Sequence, residues 1–190
     1  STSWANVIPC ISSTDCDLAC FQEMSRFGEN VDCAIVAASF AGYQACIHGS
    51  VQTDNGGLSS GVAIVSPKSH AIFDVPSLHG VTWPPSERFV LKGWHGLFPK
   101  GVPVGSIYCE TGADNNALLH CVGSVLRALG VPFLLGGDFQ MTGQELHDTG
   151  WAQSVNASIV MPHGFTYVSG SHMSSIDFWV VHNDIMPIVT

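Results

Sequence analysis

Three acids in this chain sit at the ends of apolar runs. "DLACFQE" (17–23) closes on Glu23, "FLLGGDFQ" (133–140) delivers Asp138 after two glycines, and "SSIDFWVV" (174–181) carries Asp177 near its start. An apolar strand has no structural need of a carboxylate, because a buried one is costly unless paired, hydrogen-bonded or bound to a metal. One such acid is more often a cap or a turn residue. Three of them, each attached to a core strand, point to a shared site, because layered α/β folds gather function at strand ends. Carboxylates meeting there make a hard-oxygen site suited to Mg²⁺ or Mn²⁺.

The elements that must position these acids alternate along the chain. "YQACIHG" (43–49), "GVAIVSP" (61–67) and "VPVGSIYC" (102–109) read as strands, and the first two are separated by the turn-forming "TDNGGLSSG". "NVDCAIVAASFAG" (30–42) has apolar residues near helical spacing and reads as a short helix. A stronger helix runs from Asn115 to Leu129, with Leu118, Leu119, Val122, Val125, Leu126 and Leu129 on one face. Gly130 stands where a left-handed C-terminal residue belongs, and Pro132 prevents continuation. Strands apolar on both faces need cover on both sides, so the fold class is a layered α/β architecture with helices outside.

At 190 residues, with 46% hydrophobic and 11% charged residues, the chain suits a single folded domain, 1–190, with a sizeable core. No stretch approaches the roughly 18 uninterrupted apolar residues of a membrane span, so no membrane partner is expected. No secretion signal is recognised, and an intracellular location, nuclear or cytoplasmic, is the expectation. By the same reasoning "NAS" at 156–158 is not read as a glycosylation site. The seven cysteines form no CxxC pair and are expected to be reduced and buried. The net charge of −9 argues against a large basic footprint for nucleic acid. It leaves open a phosphate substrate held through divalent cations.

Taken in order, "DLACFQE", "GGLSSGVAIVSP", "GSIYCETG", "LLGGDFQ" and "SSIDFWVV" resemble the motifs of the endonuclease/exonuclease/phosphatase superfamily. The spacing from Thr111 to Phe139 is most similar to that in the endonuclease domains of non-LTR retrotransposons. The resemblance covers nearly the whole chain, from about Asn6 to Val181. It implies a sandwich of two mixed sheets flanked by helices. It also implies that Glu23 is the main Mg²⁺ ligand, with Asn6, on a first strand, in the metal-and-water network. Tyr108 corresponds to the tyrosine that contacts the scissile phosphate, and Asp138 to the aspartate that orients or deprotonates the attacking water. Asp177 corresponds to the acid that positions the family's terminal histidine.

The chemistry explains these residue types. A cation screens the negative phosphodiester and stabilises the leaving oxygen. A carboxylate takes a proton from water, and phenol and amide donors stabilise the charge on the phosphoryl oxygens.

The resemblance has two breaks. The asparagine of the family's "GDFN" is Gln140 here, and a displaced amide donor weakens catalysis. The family's closing "SDHxP" motif has no counterpart after "VVHNDIMPIVT", which implies a domain incomplete at its C-terminus and a sheet lacking its final strand. Phe178 for the family's tyrosine is a milder change. The histidines that could substitute are His172, in the loop before Asp177, then His163 and His182. The five tryptophans read as packing residues, since no basic residues interleave with them.

The leading expectation is a Mg²⁺-dependent DNA endonuclease module of a retroelement, weakened or inactive, whose DNA affinity comes from flanking polyprotein domains. The alternatives are a pseudoenzyme that keeps only the fold, and a small-molecule or lipid-headgroup phosphatase.

Overall fold

The computed structural model describes residues 4–14, 16–24, 28–53, 56–169 and 172–189. The chain opens with helix α1 (Trp4–Thr14), then β1 (Ala19–Gln22), α2 (Glu29–Phe40) and β2 (Tyr43–His48). A short hairpin, β3 (Val51–Gln52) and β4 (Leu58–Ser59), leads into β5 (Val62–Pro67). Strands β6 (Ile72–Phe73), β7 (Phe89–Trp94) and β8 (Val102–Tyr108) precede α3 (Asn116–Leu129). After β9 (Leu134–Asp138) come α4 (Gly143–Asp148), α5 (Trp151–Ser154) and β10 (Ala157–Val160). The hairpin β11 (Tyr167–Ser169) and β12 (His172–Ser174) is followed by β13 (Asp177–His182) and α6 (Met186–Val189).

Two sheets form the frame. The larger runs β10-β13-β9-β8-β7-β6 and the smaller β1-β5-β2. The larger sheet is mixed: β8 and β9 are parallel, and its other pairings are antiparallel. The smaller sheet is antiparallel in both pairings, so the mixed character expected of both is confined to one. β1 stands at an edge of the small sheet among the described residues.

Strand alternation sorts the core into layers. On β5, Val62 and Ile64 face the other sheet, while Ala63 and Val65 pack with Val7 and Ile11 of α1 and Ala34 and Ala38 of α2. On β8, Val102, Val104 and Tyr108 face between the sheets. Ile107 packs outward with Leu119, Val122, Val125 and Leu126 of α3. The result is four layers, helix–sheet–sheet–helix, as the doubly apolar strands require.

α3 follows its sequence signals closely. It ends at Leu129, and Gly130 takes the left-handed conformation with φ of 61°. Two elements depart from expectation. Residues 4–14 are helical, so Asn6 lies on α1 and not on a strand. The segment "FVLKGW" forms β7, an interior strand of the larger sheet absent from the expectations above. All seven cysteines are free, but only Cys109 is fully buried, and Cys10 and Cys33 are exposed where burial was expected. No helix among the described residues is long and apolar enough to cross a membrane.

Candidate active site

The expected acids meet at one end of the sandwich because of sheet register. β8 and β9 pair with Tyr108 opposite Asp138, and β9 and β13 pair with Asp138 opposite Asp177. The phenylalanines that follow the two acids, Phe139 and Phe178, turn to the other face and stack there. Their rings lie 4.3 Å apart and nearly parallel, at 6°. This stack clamps the two strand ends together, so the "DF" repeated in "GDF" and "IDF" places one acid and one anchor on each strand. A tyrosine at 178 would bring a hydroxyl into this dry contact; phenylalanine brings none.

The two glycines before Asp138 are required by the close approach of neighbouring strands. A Cβ on Gly137 would lie 2.3 Å from the Ile107 carbonyl oxygen, and one on Gly136 would meet the Trp179 ring at 3.0 Å. Opposite, β1 delivers the third acid. Gln22 points between the sheets and donates from Nε2 to Ser106 Oγ at 2.9 Å, which fixes the end of the strand. Glu23 then takes a left-handed conformation, φ 52°, and its Oε1 accepts a hydrogen bond from Tyr108 Oη at 3.0 Å. Gln140 is also left-handed, with φ of 51°. A left-handed glutamate and a left-handed glutamine are strained positions, and both flank the same cleft.

Asp138 is held tightly. The Gln140 backbone N–H donates to Oδ1 at 3.0 Å and the Gln140 side-chain amide donates to Oδ2 at 2.8 Å. The residue is only 8% exposed. Burial pushes its carboxyl up to about 6; the charges of Asp177 and Glu23 add to the rise and the Gln140 hydrogen bonds oppose it. Burial also raises Asp177, reinforced by Glu23 and opposed by the Thr166 hydroxyl. Burial raises the Tyr108 phenol, with the hydrogen bond and charge of Glu23 adding, so it remains a protonated donor at neutral pH.

The three acids and Gln140 line one open cleft of about 1260 Å³. Its walls include Thr111, Thr142 and the segment 173–177. No lysine or arginine lines it among the described residues. Glu23, Asp138 and Asp177 offer the hard oxygen donors that Mg²⁺ prefers. Among the described residues, however, no three His, Cys, Asp or Glu side chains are grouped closely enough to hold a metal ion by themselves. The donor set therefore fits a cation that takes one or two protein carboxylates and completes its shell with water and substrate oxygens.

The remaining expected residues are less engaged. Asn6 is on α1, and its side chain lies outside the described residues. His172 begins β12, directly before the cleft-lining Met173, and its side chain is likewise outside the described set. His163 is exposed. His182 ends β13, five residues beyond Asp177 and so roughly 16 Å along the strand, where its ring edge meets Phe133.

Two contributors have little local signal in sequence. Arg88 accepts the Tyr108 N–H at its carbonyl, holds its guanidinium 5.7 Å from the Tyr108 ring centroid, and pairs with Glu110 at 2.8 Å. Thr166 Oγ1 accepts the backbone N–H groups of Ile176 and Asp177 at 3.0 and 3.1 Å. Only the capping box Thr142-x-x-Glu145, which starts α4 beside the cleft, was readable as a local motif.

This arrangement of sheets and helices has counterparts among solved structures. An AP endonuclease of Leishmania major superposes with a TM-score of 0.62 at 12% identity, over 95% of this chain and 74% of that one. An endonuclease/exonuclease/phosphatase family protein of Leptotrichia buccalis gives 0.58 at 13% identity, over 95% and 80%. The fold is that of the endonuclease/exonuclease/phosphatase proteins. The cytolethal distending toxin of Actinobacillus actinomycetemcomitans superposes with a TM-score of 0.54 at 16% identity, over 93% of this chain and 75% of that one. No protein-family profile matches the sequence, and no curated protein matches it.

Proposed function

We propose that this chain is a divalent-metal-dependent phosphodiester hydrolase, and that it cuts DNA as the endonuclease module of a retroelement. The observation that carries the reading is the Tyr108–Glu23 hydrogen bond set opposite an Asp138 carboxyl raised to about 6. A base with that pKa is ionised at neutral pH yet binds a proton readily, which suits it to deprotonating an attacking water. Gln140 fixes both Asp138 oxygens in place, and each retains a lone pair for that water. Asp177, across the β9–β13 pairing, supplies the negative charge that helps keep Asp138 basic. Tyr108 donates to Glu23 in the resting site and can donate to a phosphoryl oxygen as charge develops there. A Mg²⁺ or Mn²⁺ ion held by Glu23 would screen the phosphate and stabilise the leaving oxygen. Substrate affinity for long DNA is expected from flanking polyprotein domains, given that no lysine or arginine lines the cleft among the described residues.

One observation favours a second reading, a fold that has lost catalysis: no described histidine side chain lines the cleft. Nicking of supercoiled plasmid in Mg²⁺ or Mn²⁺ separates the two. Metal-dependent nicking that chelator and Glu23→Gln abolish supports the nuclease. Folded protein that leaves the plasmid intact, yet releases phosphate or alcohol from small phosphoesters, supports a phosphatase instead. Silence on both supports the pseudoenzyme.

A further inference from the structure

The wall of the cleft beyond the acids is apolar and faces solvent. Met161, Phe165, Tyr167 and Met173 are 42%, 62%, 44% and 52% exposed, and all four line the cleft that holds Asp138 and Asp177. Large side chains left this bare are normally isolated on a surface, whereas these four line the same cleft. The wall is braced against the reactive end. Thr166 ties Ile176 and Asp177 through its hydroxyl, its own N–H reaches the Ser174 carbonyl at 3.0 Å, and Ser175 Oγ donates to the Gly164 carbonyl at 2.7 Å. Phe165 and Tyr167, one residue either side of Thr166, are thus tethered through it to the strand that carries Asp177.

Duplex DNA is gripped chiefly by lysine and arginine on its phosphates. This cleft offers none among the described residues, on a chain of net charge −9. It offers instead two exposed aromatic side chains and two polarisable thioethers beside the acids. Unlike the buried or scattered tryptophans, these could meet the flat π-surfaces of unpaired bases by stacking alone, without the positively charged groove that usually accompanies it.

We propose that the cleft takes unpaired nucleotides, whose bases stack on Phe165 and Tyr167, in preference to a duplex held by its backbone. The proposal rests on the hydrolase reading for the identity of the reacting group, but its test does not depend on turnover. Fluorescence anisotropy in Ca²⁺ compares a labelled single strand of about 20 nucleotides with the same sequence as a duplex, at roughly 50 and 200 mM salt. The single strand should bind at least about 10-fold more tightly, and its affinity should fall less than about 3-fold between the two salts, far below the loss expected of many phosphate contacts. Phe165→Ala and Tyr167→Ala should each weaken it by roughly 5- to 100-fold. Phe40→Ala, an exposed site on α2, should leave binding unchanged and controls for general surface stickiness. Melting temperatures within about 2 °C of the parent would show that the variants fold.

Tighter duplex binding, a steep salt dependence, or affinity indifferent to both aromatic substitutions would overturn the proposal. So would an absence of oligonucleotide binding, including the case where zwitterionic phosphatidylcholine vesicles bind through the same wall. Single-strand binding without cleavage in Mg²⁺ would uphold the stacking wall and count against the hydrolase reading alone.

Discussion

Asp138 is where stability and chemistry oppose each other most directly. Its folded-state carboxyl is raised to about 6 by burial, so the folded chain keeps a proton between about pH 4 and pH 6 that the unfolded chain has released. Stability linked to this group is therefore fully present below about pH 4 and is lost as pH rises to about 6. A rise of about two units corresponds to at most about 3 kcal/mol, less where water reaches the group. Asp138→Asn keeps an acceptor for the Gln140 N–H and removes the charge. In chelator it should melt several degrees above the parent at about pH 8, with the gap closing at about pH 4. A gap equal at both pH values would remove burial of charge as its cause. Metal-dependent turnover by the parent should climb through about pH 6 as Asp138 ionises. Gln140 invites the opposite experiment. Its φ of 51° suits asparagine better than glutamine, so Gln140→Asn should stabilise by about 0.5 kcal/mol in chemical denaturation. A shorter amide at this position should also raise the nicking rate, and a lower rate would show that the longer amide is the one this cleft uses.

Element by element, the site is a matter of which strands lie close enough to pair. Gly137→Ala would push a methyl into the backbone of β8, which cannot yield without breaking the parallel pairing that sets Tyr108 beside Asp138. It should destabilise by about 3 kcal/mol or more. Gly136→Ala meets only the Trp179 ring, which can tilt, and should cost about 1 kcal/mol. Urea midpoints of the two variants test this; equal values would mean that β8 relaxes as easily as a side chain. The same contrast explains what the sequence made legible. Glu23, Asp138 and Asp177 were visible because a carboxylate contradicts the apolar run it adjoins, and α3 because its stripe is long and its C-terminal glycine unambiguous. α1 gave no such stripe, and "SWANV" invited a strand through its resemblance alone. β7 is framed by the turn-forming Pro84-Pro85-Ser86, but Lys92 and Gly93 break its apolar residues after three positions, too short a run to announce a strand. Arg88 and Thr166 act through partners that only the fold brings near, Tyr108 for the first and Asp177, 11 residues on, for the second, so no local pattern announces them.

For the whole molecule, the acid-rich cleft and the net charge of −9 predict that divalent cations stabilise the folded chain even before any substrate is present. The charges of Asp177 and Glu23 help raise the Asp138 carboxyl, so the folded state stores repulsion that a bound cation would relieve. A ligand that binds only the folded chain stabilises by RT ln(1 + [L]/Kd), about 1.4 kcal/mol at tenfold excess over Kd. For a domain of this size that is roughly 3–5 °C in melting temperature. Titrating Mg²⁺ or Mn²⁺ into chelator-stripped protein at about pH 8 should produce such a rise. At about pH 5, where Asp138 is largely protonated, the rise should be smaller, because a proton already neutralises one of the groups that the cation would shield. Glu23→Gln should remove most of the rise while leaving the melting temperature in chelator close to the parent's, since the introduced amide retains a carbonyl acceptor for the Tyr108 hydroxyl. A full rise in Glu23→Gln would move the cation to Asp138 and Asp177. No rise at millimolar metal in the parent would separate the endonuclease/exonuclease/phosphatase fold of this chain from divalent-metal chemistry altogether.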